Sequence, residues 1–331
     1  MATAHRLRAA PVSAHTRPLP LRVGTRGSPL ALVQTRHFQS IISSFCPVLR
    51  GLDMFEEHII TTTGDAVQDR ALSEIGGKGL FAKEIHEALL DRRVDFAVHS
   101  LKDLETNLPP GIVLACTLTR EDARDVLILG PDCGPPDPSD PYAVLPRGGL
   151  VGTSSVRRQA QLLHARPDLR TGLFRGNVQT RLGKVRNGDV CASLLALAGL
   201  KRLGLAAEAG VILDPDVMVP SACQGIVGIT ARADDTALLA LLAAIEDPAA
   251  RAVSVAERAL LAELDGSCRT PIGGHARLTP DGRLHLTGLA ARADGSFLIK
   301  RSLSGLAADA AYLGTELGRS LRADSPRDIF A

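Results

Sequence analysis

The 331-residue sequence predicts an α/β protein of two similar lobes followed by a smaller α+β domain, and three observations predict it. A grammar of strand, glycine, hydroxyl residues and helix occurs twice. A spacer dense in proline, glycine and aspartate separates the two occurrences. After residue 248 the pattern changes to an amphipathic helix, short alternating runs and a closing helix. The length exceeds one ordinary core and suits domains of roughly 100 to 150 residues.

Residues 1–20, "MATAHRLRAAPVSAHTRPLP", carry Arg6, Arg8 and Arg17 and no acid. The composition suits an organelle transit peptide as well as a plain bacterial amino terminus. The segment is broken by prolines and makes a poor amphipathic helix, which favours the plain bacterial terminus, and on either reading it is a disordered extension. "LRVGT" (21–25) is the first strand, and "GSPLALVQTRHFQSII" the first helix, with Ser28 as N-cap and Pro29 at its first position. "GGKGLFAKEIHEALL" (76–90) reads as a mobile glycine-rich lid, carrying Lys78 and Lys83, that runs into a helix. It lacks the hydroxyl residue and glycine spacing of a nucleotide phosphate loop. "RRVDFAVHSLKDL" (92–104) is a strand that sets His99, Lys102 and Asp103 past its carboxyl end, where open α/β folds bind ligands.

The spacer "GPDCGPPDPSDPYAVLPRGG" (130–149) is loop. "LVGTSSVRRQAQLLHA" then repeats the first lobe's opening, with Ser154 or Ser155 as N-cap, and "NGDVCASLLALAGL" (187–200) repeats the strand that precedes a helix. "ARAVSVAERALLAEL" (250–264) is an amphipathic helix. Three alternating runs around the "PDG" and "ADG" turns form an antiparallel three-stranded meander, and "GLAADAAYLGTELGRSL" (305–321) closes the chain as a helix.

Hydrophobic residues make up 45% and charged residues 22%, with net charge +2, so neither nucleic acid nor a membrane surface is indicated as a partner. No apolar run reaches the ~18 residues of a membrane span. Six cysteines (46, 116, 133, 191, 223 and 268) show no zinc or redox spacing, which points to no metal and to a reducing cytoplasm.

Arginines carry the chemistry. Arg157 and Arg158 lie in the first turn of a capped helix, where free N–H groups and the helix dipole favour anions. Arg175 and Arg181 follow in "FRGNVQTR", Arg202 in "LAGLKRLG", and Arg26 precedes the first lobe's cap. Singly each reads as a solvated surface charge; together they form a site for a polycarboxylate or phosphate. "DGSCRTPIGGHA" (265–276) cannot be helix, so Cys268 sits on a tight loop.

In order along the chain, "TRGSPLALVQT", "GGKGLFAKE", "VHSLKD", "GTSSVRRQAQ", "RGNVQTRL", "ALAGLKRLG", "CQGIVGI" and "GSCRTPIGGHA" closely resemble the hydroxymethylbilane synthase (porphobilinogen deaminase) family, from about residue 21 to the end. The resemblance implies that Cys268 carries a dipyrromethane cofactor through a thioether. On this primer four porphobilinogen molecules are deaminated and joined head to tail, and linear hydroxymethylbilane is released. It also implies that Asp103 stabilises the azafulvene cation left by loss of ammonia, and that Arg26, Ser28, Lys78, Ser154, Arg157, Arg158, Arg175, Arg181 and Arg202 contact cofactor or substrate carboxylates, with Lys102 beside Asp103 joining them. Guanidinium groups bind carboxylates bidentately, which suits a substrate bearing an acetate and a propionate.

The same resemblance implies lobes like those of periplasmic anion-binding proteins. The first spans 21–120 and 222–246, with a return near "CQGIVGI"; the second spans 121–221, the third domain 247–331, and the protein is a monomer. "CASLLA" (191–196) and "LKDLET" depart from the family's usual residues, and the 130s look like an inserted loop. Two other classes remain open: an anion-binding protein without catalysis, which leaves Cys268 and Asp103 without a task, and a cysteine hydrolase, which wants a histidine near the thiol, where His275 is the only local candidate and nothing in the sequence orients it.

Overall fold

A computed structural model describes residues 18–67, 79–265 and 270–330. The expectations for the N-terminal arginines, for the lid through Lys78, and for Cys268 fall outside the described residues.

The first lobe opens with β1 (Leu21–Thr25), whose Leu21 and Val23 are fully buried. Helix α1 (Pro29–Phe45) follows; the Ser28 side chain accepts from the Ala31 amide at 3.3 Å, and Pro29 supplies a helical φ where no amide is needed. Next come β2 (Phe55–Ile59), the one-turn α2 (Thr63–Ala66), α3 (Lys83–Leu90), β3 (Phe96–Ser100) and β4 (Ile112–Thr117). Phe38 of α1 meets Phe96 of β3 edge to face at 5.1 Å in the core of this lobe.

The chain then crosses to β5 (Asp125–Leu129), and residues 130–149 form turns without helix or strand. There follow β6 (Leu150–Gly152), α4 (Val156–Ala165), β7 (Arg170–Gly172), α5 (Val178–Arg186), β8 (Ala192–Ala196), α6 (Leu197–Arg202) and β9 (Val211–Ile212). It crosses back to β10 (Val227–Arg232) and α7 (Thr236–Ala243).

The two sheets share one topology. The first runs β2-β1-β3-β10-β4 and the second β7-β6-β8-β5-β9. In each, a strand and its two parallel neighbours are followed by a strand antiparallel to both of its own neighbours, and that strand (β10 or β5) arrives by a crossing from the other lobe. The repeated grammar of the sequence is thus a repeated fold, tied by two exchanged strands.

The third domain comprises α8 (Pro248–Glu263), the antiparallel sheet β11 (Ile272–Leu278), β12 (Arg283–Ala291) and β13 (Leu298–Leu306), and α9 (Ala310–Asp324). Its core also takes in Leu101, Leu104, Cys223 and Ile226, so it packs beneath the end of β3 and the second crossing. The closing helix begins later than its sequence suggests, because β13 pairs with β12 as far as Leu306 opposite Arg283. The departure "CASLLA" does not disturb packing: Ala192–Ala196 are a central strand, with Ser193 Oγ donating to Gly152 O at 2.8 Å.

Candidate active site

A cleft of about 740 Å³ lies between the two sheets. Three helix N-termini open onto it: Gly27–Ala31 of α1, Ser154–Arg158 of α4 and Gly176–Arg181 of α5. Each presents free amides and the positive end of a helix dipole. Among the described residues, six cations line the cleft against two carboxylates, Asp65 and Asp103. The donor set therefore suits a polyanion.

On the first-lobe wall, Asp103 ends the single 3₁₀ turn that follows β3. Arg26 Nε donates to Asp65 at 2.9 Å, while its Nη1 stands 3.8 Å from Asp103, and its guanidinium lies 4.2 Å from the centre of the Phe81 ring. Asp65 takes the larger share of Arg26, which leaves the Asp103 carboxylate a half-exposed acceptor facing the cleft. Lys102 Nζ donates to Gln224 Oε1 at 3.1 Å. Burial pushes the Lys102 ammonium down to about 8, against the pull of Asp103. His99 is neutral: burial, then His86 and Arg26, push it down to about 3, and its Nε2 meets Thr230 Oγ1 at 2.8 Å.

On the second-lobe wall, Ser155 is the N-cap, its side chain accepting from the Arg158 amide at 3.4 Å. Ser154 instead braces the neighbouring loop, donating to Phe174 O at 2.8 Å and accepting from its amide. Arg157 and Arg158 are buried and share one carboxylate, Asp125, which is fully buried at the start of β5. Burial works against the charge of Asp125, but the two guanidinium groups outweigh it and hold its pKa well below the usual carboxylate range.

Arg175 reaches across the cleft to the carbonyls of Gly64 and Val67 at 3.1 and 2.8 Å. Arg181 has no carboxylate partner among the described residues; burial, then Arg158 and Arg175, lower it to about 10. It is the lining arginine best placed to accept an incoming carboxylate.

The structure thus brings Arg26, Ser28, Lys102, Asp103, Ser154, Arg157, Arg158, Arg175 and Arg181 to one cleft. Arg202 does not line it; its Nη2 donates to Gly225 O at 2.6 Å, at the second crossing. Lys78 and Cys268 lie outside the described residues, but Thr270 and Ile272, just downstream of Cys268, line the cleft. Lys83 is exposed at the start of α3. His275 of β11 is pushed down to about 4, first by burial. Sequence reasoning did not find Asp65, Asp125, Phe81 or Gln224. The one signal for Asp125 was an acid opening the apolar run "DVLIL".

The family description "Porphobilinogen deaminase, dipyromethane cofactor binding domain" matches residues 21–240, and "Porphobilinogen deaminase, C-terminal domain" matches residues 251–323. The chain belongs to the porphobilinogen deaminase family. It is 48% identical over 313 residues to a Paracoccus denitrificans protein named porphobilinogen deaminase, covering 94% of this chain and 96% of that one. It is 45% identical over 285 residues to the Oryza sativa chloroplastic porphobilinogen deaminase, covering 86% and 78%. Among solved structures, a Salmonella typhimurium periplasmic binding protein of high arginine specificity aligns with TM-score 0.37 and 14% identity, covering 70% of this chain and 93% of that one.

Among the described residues, no helix is long and apolar enough to cross a membrane.

Proposed function

We propose that the cleft between the two sheets is where this family member deaminates porphobilinogen, and that Asp103 is the carboxylate on which the reaction turns. The activity follows from family membership. The chain is a hydroxymethylbilane synthase, a transferase of tetrapyrrole biosynthesis that joins four porphobilinogen molecules head to tail and releases linear hydroxymethylbilane and ammonia. Held by a thioether at Cys268, the dipyrromethane supplies the free end to which each unit is added.

The observation that carries the assignment is the charge arrangement: among the described residues, six lining cations and three helix N-termini surround a cleft in which Asp103 is one of two carboxylates. Arg157, Arg158, Arg175, Arg181 and Lys102, with Ser28 and Ser154 at helix starts, would hold the carboxylates of the bound pyrroles. Thr270 and Ile272, two and four residues downstream of Cys268, line the cleft, which supports Cys268 as the attachment point. Lys78 is assigned to the same group on the family resemblance. The placement of Arg202 favours a different task, bracing the second crossing at Gly225.

Loss of ammonia from porphobilinogen leaves a cation, and Asp103, which faces the cleft, would be the carboxylate set against that charge. A preorganised carboxylate stabilises a developing cation more than the neutral ground state, so its effect falls on the rate. His99, neutral and hydrogen-bonded to Thr230, is not the proton donor.

The domain division (21–120 with 222–246, 121–221, 247–331), a monomeric state and a cytoplasmic location belong to the same reading. They are supported respectively by β10 lying in the first sheet, by both cleft walls coming from one chain, and by five free cysteines among the described residues.

Asp103→Asn keeps size and removes charge. In cofactor-loaded protein its turnover of porphobilinogen should fall about 100-fold or more, with Asp103→Glu retaining part of the activity. Turnover of loaded Asp103→Asn within a few-fold of wild type would place the carboxylate elsewhere in the cleft.

A further inference from the structure

We propose that Gln224 is a positioning residue that joins the two walls of the cleft, its amide oxygen holding Lys102 beside Asp103 and its amide nitrogen holding Asp125 beneath Arg157 and Arg158. The inference rests on the reading of Lys102 as a carboxylate-binding cation.

Gln224 is completely buried and lies on the second crossing, between the lobes. Its whole amide is engaged. Oε1 accepts from Lys102 Nζ at 3.1 Å, and Nε2 donates to Asp125 Oδ1 at 2.9 Å and to Ala123 O at 2.7 Å. The orientation is therefore forced: a flipped amide would set N–H groups against an ammonium and oxygen against a carboxylate.

The backbone is held as tightly. Arg120 Nε donates to Gln224 O at 2.9 Å, and the Gln224 amide donates to Ser221 O at 3.0 Å. The flanking residues Cys223 and Gly225 both take positive φ, 62° and 89°. A Cβ at Gly225 would stand 2.2 Å from Glu121 O, so only glycine lets the two crossings approach at that point. A side chain fixed this firmly sets the distance between the lysine of one wall and the arginine clamp of the other.

A neutral amide suits the task. Lys102 faces Asp103 and Asp125, which favour its charge, and Arg157 and Arg158, which oppose it. A direct contact between Lys102 and Asp125 would draw Asp125 from its arginines. The amide keeps the two charges apart while satisfying both.

Because burial holds Lys102 near 8, its ammonium is present below that pH and is lost as pH rises through it. Pyrrole capture by full-length chain produced without cofactor should decline along the same limb. The test incubates such chain with porphobilinogen across pH and counts covalently added pyrrole units by intact mass.

Gln224→Met removes the acceptor and should move the alkaline limb about one pH unit down. Gln224→Glu places a carboxylate against Lys102 and should move it up. In Lys102→Arg, whose side chain stays charged throughout, the limb should vanish, and neither Gln224 substitution should restore it. A packing role alone would impair both Gln224 variants without opposite shifts, so an unmoved limb in either folded variant overturns the bridge. If Lys102→Arg keeps the wild-type limb, the reading of Lys102 fails, and the bridge with it.

Discussion

At the scale of single residues, the site depends on buried charges behind the cleft wall. Asp125 is the clearest case, a fully buried carboxylate ion-paired to Arg157 and Arg158 at 2.8 and 2.7 Å. It holds both guanidinium groups in place before any ligand arrives. Asp125→Ala should leave two buried cations without a counterion and destabilise the fold by about 3–5 kcal/mol. Chemical denaturation of variant and wild type measures this, and a loss below about 1 kcal/mol would show that the arginines do not need it. The arginines themselves were legible in the sequence, because they cluster at capped helix starts. Asp125 was not, because nothing local distinguishes a buried counterion from any acid at a strand end; its partners lie about 30 residues away and across a sheet. The same holds for Asp65, which reaches Arg26 only through the fold.

At the scale of elements, local signals gave boundaries wherever local chemistry sets them. Ser28 with Pro29 starts α1, and the two aspartate-glycine turns place the strands of the third sheet. The start of α9 was misplaced because cross-strand pairing with β12 keeps Leu298–Leu306 extended, and no local signal reports that partner.

Packing between α8 and α9 shows what such tertiary contacts require. A Cβ at Gly314 would lie 2.2 Å from Ala256 O and 2.7 Å from the Ala259 Cβ, so the helices approach to a distance that only glycine permits. Gly314→Ala improves helix propensity, yet it should destabilise the protein by about 1–3 kcal/mol, because overpacking there must displace backbone. A thermal midpoint equal to or above that of wild type would contradict the close contact.

At the scale of the whole molecule, the two lobes exchange strands, and the third domain holds the crossings. Fully buried Glu257 of α8 accepts from Arg120 of the first crossing at 2.7 Å and from the amides of Cys223 and Ala276 at 2.5 Å, linking both crossings to β11. The repeat of two lobes was legible because each carries its own strand and helix signals. The sheet order was not, since β5 and β10 pair with strands of the lobe they enter.

This arrangement places Thr270 and Ile272, just downstream of Cys268, against the cleft, and the account's central claim is that the chain is primed at Cys268. The intact mass of purified protein tests it most directly. Wild type should exceed the bare chain by two covalent pyrrole units, and Cys268→Ser should fold and show no excess. A wild-type chain of bare mass, or an excess that survives in Cys268→Ser, would contradict the claim.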